Sequence, residues 1–185
     1  MEYSNIVEEV DTWDSFNFVK FGIFLNKQAP YSLQTENQCW LRLMEGDFYM
    51  KAEKLVELAQ EAMTHAYAPY SGYKVGAALL CADGTVYQGC NIENAAFGPT
   101  NCAERTAFFK AVFDGHRDFT AIAVCGGKDG VITGSFPPCG VCRQVMREFC
   151  DVDFMIYMVD VNSTYKAVTL GELLPYSFSP ADLEK

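Results

Sequence analysis

Two short stretches, CAERTAFF at 102–109 and PPCGVCRQ at 137–144, place the tightest constraint on how this chain can fold. Each opens a segment with helical patterning. Cys139 and Cys142 form a C-x-x-C at the start of one predicted helix, and Cys102 sits at the start of another. Either these thiols are buried side chains of an ordinary core, since free cysteine is among the most buried residue types, or two helix starts meet at one edge of a sheet. In the second case three thiolates face one point. Thiolates are the metal-binding form of cysteine, and helix N-termini favour negative charge.

The rest of the composition favours the second case. The chain has 185 residues, half of them apolar and 14% aromatic, enough for one domain with a core and an appendage. The N-terminus, MEYSNIVEEV, is acidic and lacks the basic and apolar regions of a signal peptide. The longest apolar-rich run, FVKFGIFL, is interrupted by Lys20 and is too short to span a bilayer. A soluble, cytoplasmic, reduced protein is expected, with no membrane partner. In that setting closely spaced cysteines point to metal or catalysis more often than to disulfides. The net charge is -10 and no Lys/Arg cluster stands out, so no nucleic-acid partner is expected.

The pattern sharpens at Met50. KAEKLVELAQEAMTHAY places Leu55, Leu58, Ala59, Ala62, Met63 and Ala66 on one helical stripe, with Pro69 as its stop. KVGAALLCA reads as a buried strand, Asp83-Gly84 as a hairpin turn and TVYQGCN as the returning strand. Residues 102–113 read as a helix burying Phe108, Phe109 and Val112 and stopping near Gly115. FTAIAVCG is a strand, followed by a Gly/Pro-rich loop and a helix over 139–150. DFMIYMVD and the weaker YKAVTL are strands, and GELLPYSF closes the chain with a short helix and an aromatic tail. Strands alternating with helices imply a layered α/β domain. Cys81, Cys90, Cys125 and Cys150 are assigned to the core, and Cys39 is left unassigned.

Zn²⁺ suits sulfur ligands and tetrahedral geometry. A structural zinc site is normally closed by four protein ligands, whereas three leave a position for water, the catalytic arrangement. Cys125, inside a strand, and Cys150, at the far end of a helix, are poorly placed to supply a fourth. Neither His65 nor His116 has ligand spacing with the cysteines. Glu104, on the first turn of its helix, can project toward the ion without ligating it. A carboxylate there can take a proton from zinc-bound water and give it to a substrate nitrogen. Three thiolates on one Zn²⁺ leave a net negative charge, which weakens the pull on water. The two helix dipoles offset it, and Arg105 is a candidate for hydrogen-bonding the sulfurs.

The order C-A-E … P-C-x-x-C is the pattern of zinc deaminases, in which the Glu is the general acid/base and not a ligand. From Met50 to about Leu183 the chain resembles the small homotetrameric cytidine deaminases. The matching pieces are YAPYSGYKVGAALL, GCNIENAAFGPTNCAERTAFFKAV, PPCGVCRQ and ELLPYSF. The resemblance implies a three-layer α/β/α domain with a mixed five-stranded sheet. It implies Zn²⁺ on Cys102, Cys139 and Cys142, Glu104 as proton shuttle, and Arg105 and Gln144 bonded to the ligand sulfurs. Asn91 and Glu93 match positions that hold the ribose hydroxyls. Tyr73 stands where the family usually has a phenylalanine on the pyrimidine ring, and Phe97 where many relatives have tyrosine. Ala103 falls among the substrate contacts. Phe178 matches an aromatic that reaches a neighbouring subunit's site, so a homotetramer with sites completed across subunits is implied.

The implied reaction is hydrolytic deamination of cytidine or deoxycytidine at C4, giving uridine or deoxyuridine in pyrimidine salvage. Glu104 protonates N3 and helps ammonia leave. Other readings are a relative acting on another aminated pyrimidine nucleoside, such as blasticidin S, or a non-catalytic zinc-stabilised binding module. The loop from Gly127 to Phe136 is longer than in the shortest relatives and reads as a surface insertion. Residues 1–49 match nothing in the family and are read as an extension distinct from a deaminase domain over 50–185, either an acidic addition that packs on the tetramer or a stretch that is not native protein. EGDFY before Met50 can be encoded as GAA GGA GAT TTT TAT, which contains a ribosome-binding purine run ahead of an ATG. On that reading the extension is not native protein and is poorly packed or disordered.

Overall fold

A strand buried on one face alternates apolar and polar residues, whereas one buried on both faces does not. Residues 75–81 are apolar throughout, and they form the body of a strand covered by helices on both sides. The computed structural model describes residues 40–42 and 49–183. Apart from 40–42 and 49, the proposed extension lies outside the described residues, as does Cys39. Strands β1 (Trp40–Arg42) and β2 (Tyr49–Lys51) pair antiparallel, with Leu41 opposite Met50.

The chain then runs through α1 (Ala52–Met63), β3 (Tyr73–Cys81), β4 (Val86–Cys90), α2 (Ala103–Phe113) and β5 (Phe119–Lys128). It ends with α3 (Gly140–Phe149), β6 (Met155–Val159), β7 (Tyr165–Thr169) and α4 (Leu170–Leu173). The main sheet has the order β4-β3-β5-β6-β7. The β5–β6 pair is parallel and the other pairs are antiparallel, so the sheet is mixed and five-stranded. Ala78, Leu80, Ala121, Ala123 and Cys125 pack against α1 on one face. Val75, Ala77, Leu79, Ile122 and Val124 pack against α2 and α3 on the other. This is the expected three-layer arrangement. No helix among the described residues is long and apolar enough to cross a membrane.

Several local expectations need correction. Helix α1 stops at Met63, well before Pro69. Tight backbone bonds from His65 to Ala62 and from Ala66 to Met63 close its last turn, and Tyr67 then pairs with Ile92. Leu58 and Ala66 are only half-buried, and Val56 takes the central place. In α2 Phe108 is buried, but Phe109 is exposed and Val112 half-buried. The inward face carries Ala103, Ala107 and Ala111 instead. Cys90 is half-buried, its thiol donating to the His65 carbonyl at 3.3 Å, while Cys81, Cys125 and Cys150 are buried as expected.

The alanines face inward because α2 lies almost on the backbone of β4. A Cβ on Gly89 would stand 2.3 Å from the Ala103 carbonyl oxygen and 2.5 Å from the Ala107 nitrogen. Gly76 plays the same part for α1, where a Cβ would meet the Ala59 oxygen at 2.1 Å and the Met63 nitrogen at 2.3 Å. The obstructing atoms are helix backbone, so the helix itself must move. Gly76→Ala and Gly89→Ala are each expected to cost about 1–3 kcal/mol or more in urea unfolding. Gly89→Ala should also lower bound metal, because it displaces the start of α2; unchanged stability in both variants would refute this packing account.

Candidate active site

Cys102 is the N-cap residue of α2 and Cys139 that of α3, both in extended backbone conformation, and neither side chain caps its own helix. Cys142 lies on the first turn of α3. The two helix starts meet. Cys102 Sγ stands 3.8 Å from Cys139 Sγ, and Cys139 Sγ stands 3.5 Å from Cys142 Sγ. Two sulfurs on one tetrahedral zinc, each bonded at about 2.3 Å, stand about 3.8 Å apart. The spacing therefore fits Zn²⁺. Cys142 is buried, Cys102 half-buried and Cys139 exposed, which leaves an approach from solvent.

The surroundings favour thiolate at Cys102, the form in which cysteine binds a metal. A hydrogen bond from Cys142, strengthened by Arg105, pulls the Cys102 thiol down to about 5. The Cys142 thiol, donating to Cys102 and buried, is raised in turn. Arg105 Nη2 donates to the Thr100 carbonyl at 3.0 Å and to Cys102 Sγ at 3.6 Å. Its Nε is buried without a protein partner, an orphaned donor beside the cluster. Glu104 is 4% exposed, and burial pushes its carboxyl up to about 7, with the Cys102 thiolate adding to the rise. An acid poised near neutrality can both take and give a proton.

Gln144 is placed differently from its sequence reading. Its Nε2 donates to the Phe178 carbonyl at 3.0 Å, not to a sulfur. Two residues that the sequence reading passed over share this work. Arg143 bonds the carbonyls of Pro138 and Leu173, each at 2.8 Å, and Arg147 bonds Ser177 Oγ at 3.0 Å. Successive turns of α3 thus clamp the C-terminal segment, and Arg143 also steadies the proline before Cys139. The only sequence signal was the cationic character of α3.

A cleft of ≈ 380 Å³ is lined by Tyr70, Ser71, Glu93, Asn94, Phe97 and Thr100, the last of which accepts from Arg105 through its carbonyl. Glu93 Oε2 accepts the Tyr70 and Ser71 amides at 2.9 and 3.2 Å, and Oε1 accepts the Ser71 hydroxyl. These bonds, the hydroxyl's foremost, hold Glu93 below the usual carboxylate range. Asn91 is buried and bonds backbone on both sides: Oδ1 accepts from the Val75 amide and Nδ2 donates to the Tyr73 carbonyl, both at 2.8 Å. It therefore positions Tyr73, whose half-exposed ring carries Lys128 Nζ at 5.5 Å from its centroid. Phe97 is largely exposed. Ala103 is buried under the first turn of α2, and Phe178 is held by its backbone with its ring exposed.

Removing the Asn91 amide leaves the Val75 amide buried and unpaired. Asn91→Ala is expected to cost about 1–3 kcal/mol in denaturant unfolding. A loss of ligand affinity with no loss of stability would show that the side chain serves the ligand alone.

Comparison with known proteins places this geometry in a family. A family model described as the cytidine and deoxycytidylate deaminase zinc-binding region matches residues 50–158. The cytidine deaminase of Sporosarcina psychrophila is 50% identical over 134 residues, 72% of this chain and 96% of that protein. That of Halalkalibacterium halodurans is 47% identical over 134 residues, 72% and 98% of the two chains. The crystal structure of cytidine deaminase from Burkholderia pseudomallei matches with a TM-score of 0.65 at 45% identity, covering 70% of this chain and 100% of that one. That from Mycobacterium tuberculosis matches with a TM-score of 0.57 at 38% identity, covering 68% and 94%. With the family pattern spanning more than half the sequence and these relatives covered almost end to end, the chain belongs to the cytidine and deoxycytidylate deaminase family.

Proposed function

We propose that this protein is a zinc-dependent cytidine and deoxycytidine deaminase of pyrimidine salvage, working in the cytoplasm. The observation that carries the reading is Glu104: a buried carboxyl, poised near neutrality, beside three thiols spaced for one tetrahedral ion. Water enters and ammonia leaves, with C4–NH₂ exchanged for C4=O. Cys102, Cys139 and Cys142 would hold Zn²⁺, which when bound activates water. Glu104 moves the proton, first to N3 of the pyrimidine and then to the departing amino group. Arg105 draws negative charge from the thiolates. Tyr73 stacks on the base, Glu93 and Asn91 serve the ribose end, and the start of α2 at Ala103 borders the base. The unbridged state of all seven cysteines among the described residues suits a reducing compartment.

The large exposed aromatics support assembly. Phe97 is 81% exposed and Phe113 89%, and a cleft of ≈ 430 Å³ on the outer side of α2 includes Ile92, Phe109 and Phe113. Its exposed Phe109 and Phe113 rings suit subunit packing better than a nucleoside. In the proposed homotetramer Phe178 closes a neighbour's cleft.

Turnover of cytidine, followed by ultraviolet absorbance, tests the reaction. Glu104→Gln should lower kcat by about 10²–10⁴-fold and keep its zinc; turnover equal to wild type would sink the assignment of Glu104. Phe178→Ala should raise KM several-fold at unchanged zinc content, with light scattering reporting four chains per particle. A fully active monomer would overturn the shared site.

A further inference from the structure

A second set of metal-ligating side chains converges beyond the other end of α2. A bulge between Leu80 and Cys81 sets Cys81 opposite Phe119 and leaves its thiol buried on the α2 side of the sheet. Bulges commonly re-aim a side chain in this way. Asp83 follows in the β3–β4 turn. Its Oδ1 accepts the Thr85 amide at 2.9 Å, and its Oδ2 lies 3.4 Å from His116 Nδ1. His116 comes just after α2, its amide bonded to the Ala111 carbonyl at 3.0 Å. Its ring packs edge-on against Tyr87 at 5.3 Å, and Tyr87 is itself anchored to Asp114 at 2.9 Å. The imidazole is thereby fixed in place.

One ligand atom from each of Cys81, Asp83 and His116 lies within 4.8 Å of the others. Nitrogen and oxygen ligands on a tetrahedral zinc, bonded at about 2.0–2.1 Å, stand about 3.3 Å apart. The Asp83–His116 separation matches that spacing. We propose that Cys81, Asp83 and His116 form a second, non-catalytic site for a borderline divalent cation of the Zn²⁺ type, tying the β3–β4 hairpin to the end of α2. The mixed sulfur, nitrogen and oxygen set selects such an ion over Mg²⁺ or Ca²⁺, which take oxygen ligands. One thiolate and one carboxylate balance the divalent charge. The part-exposed Asp83 and His116 leave a side open to the ion and to water, and the buried thiol closes the other. The Cys81 proton leaves to solvent as the ion enters. The adjacent Arg117 is committed elsewhere, its Nη1 bonded to the carbonyls of Val112 and His116.

The test uses the full chain equilibrated with micromolar free Zn²⁺, desalted and assayed for metal by mass spectrometry. His116→Ala should carry one ion fewer per chain than wild type. Asp83→Asn, whose amide oxygen can keep the turn bond to Thr85, should lose the same ion. Cytidine turnover should be unchanged in both. The readout is the difference between wild type and variant, so it stands whatever the Cys102 cluster holds. Equal metal content in all three proteins overturns the site, and loss in His116→Ala alone overturns the three-residue ligand set.

Discussion

Two glycines set the positions of two helices, and the site depends on one of them. Helix α1 rests on Gly76 and α2 on Gly89, with backbone atoms where a side chain would otherwise stand. Contact this close leaves little freedom to slide or tilt, because protein interiors are packed to near-crystalline density. The start of α2 is therefore fixed relative to β4, and with it Cys102, Ala103 and Glu104. The start of α3 is fixed from the other side, by Arg143 on the Pro138 and Leu173 carbonyls.

What those helix starts create is an electrostatic problem with a built-in solution. Three thiols and a carboxyl crowd together, and they do not all ionise alike. Cys102 is pulled toward the thiolate, Cys142 toward the thiol, and Glu104 toward the neutral acid. Two helix N-termini and the Arg105 guanidinium supply positive character at the same point. A bound divalent ion completes that balance and lets the sulfurs give up their protons.

The clamp on the C-terminal segment connects this centre to the periphery. Arg143, Gln144 and Arg147 occupy one run of α3 directly after the cysteine motif, and each bonds the segment from Leu173 to Phe178. The helix that carries two of the thiols thus also positions the aromatic ring proposed to reach a neighbour. A single element holds both the tail and two of the thiols.

Periodicity along the chain determined the layered α/β class, the β3–β4 hairpin and the order of the elements. The cysteine positions offered two arrangements, an ordinary core or two helix starts meeting, and the resemblance to zinc deaminases favoured the second. These features are local: apolar period, Gly and Asp at a turn, and thiols at a helix start are written in consecutive residues. Tertiary structure decided the rest. It set Ala103 and Ala107 against β4, where the approach at Gly89 leaves no room for a larger side chain, and left Phe109 exposed on another side of the helix. It ended α1 at Met63, four residues before Tyr67 pairs with Ile92. It gave Gln144 to Phe178 and the Asn91 amide to the backbone of β3. It also brought His116 to Cys81 and Asp83, residues with no shared motif. A side chain's partner is set by which distant elements share a surface, and adjacency in three dimensions leaves no mark on spacing in one.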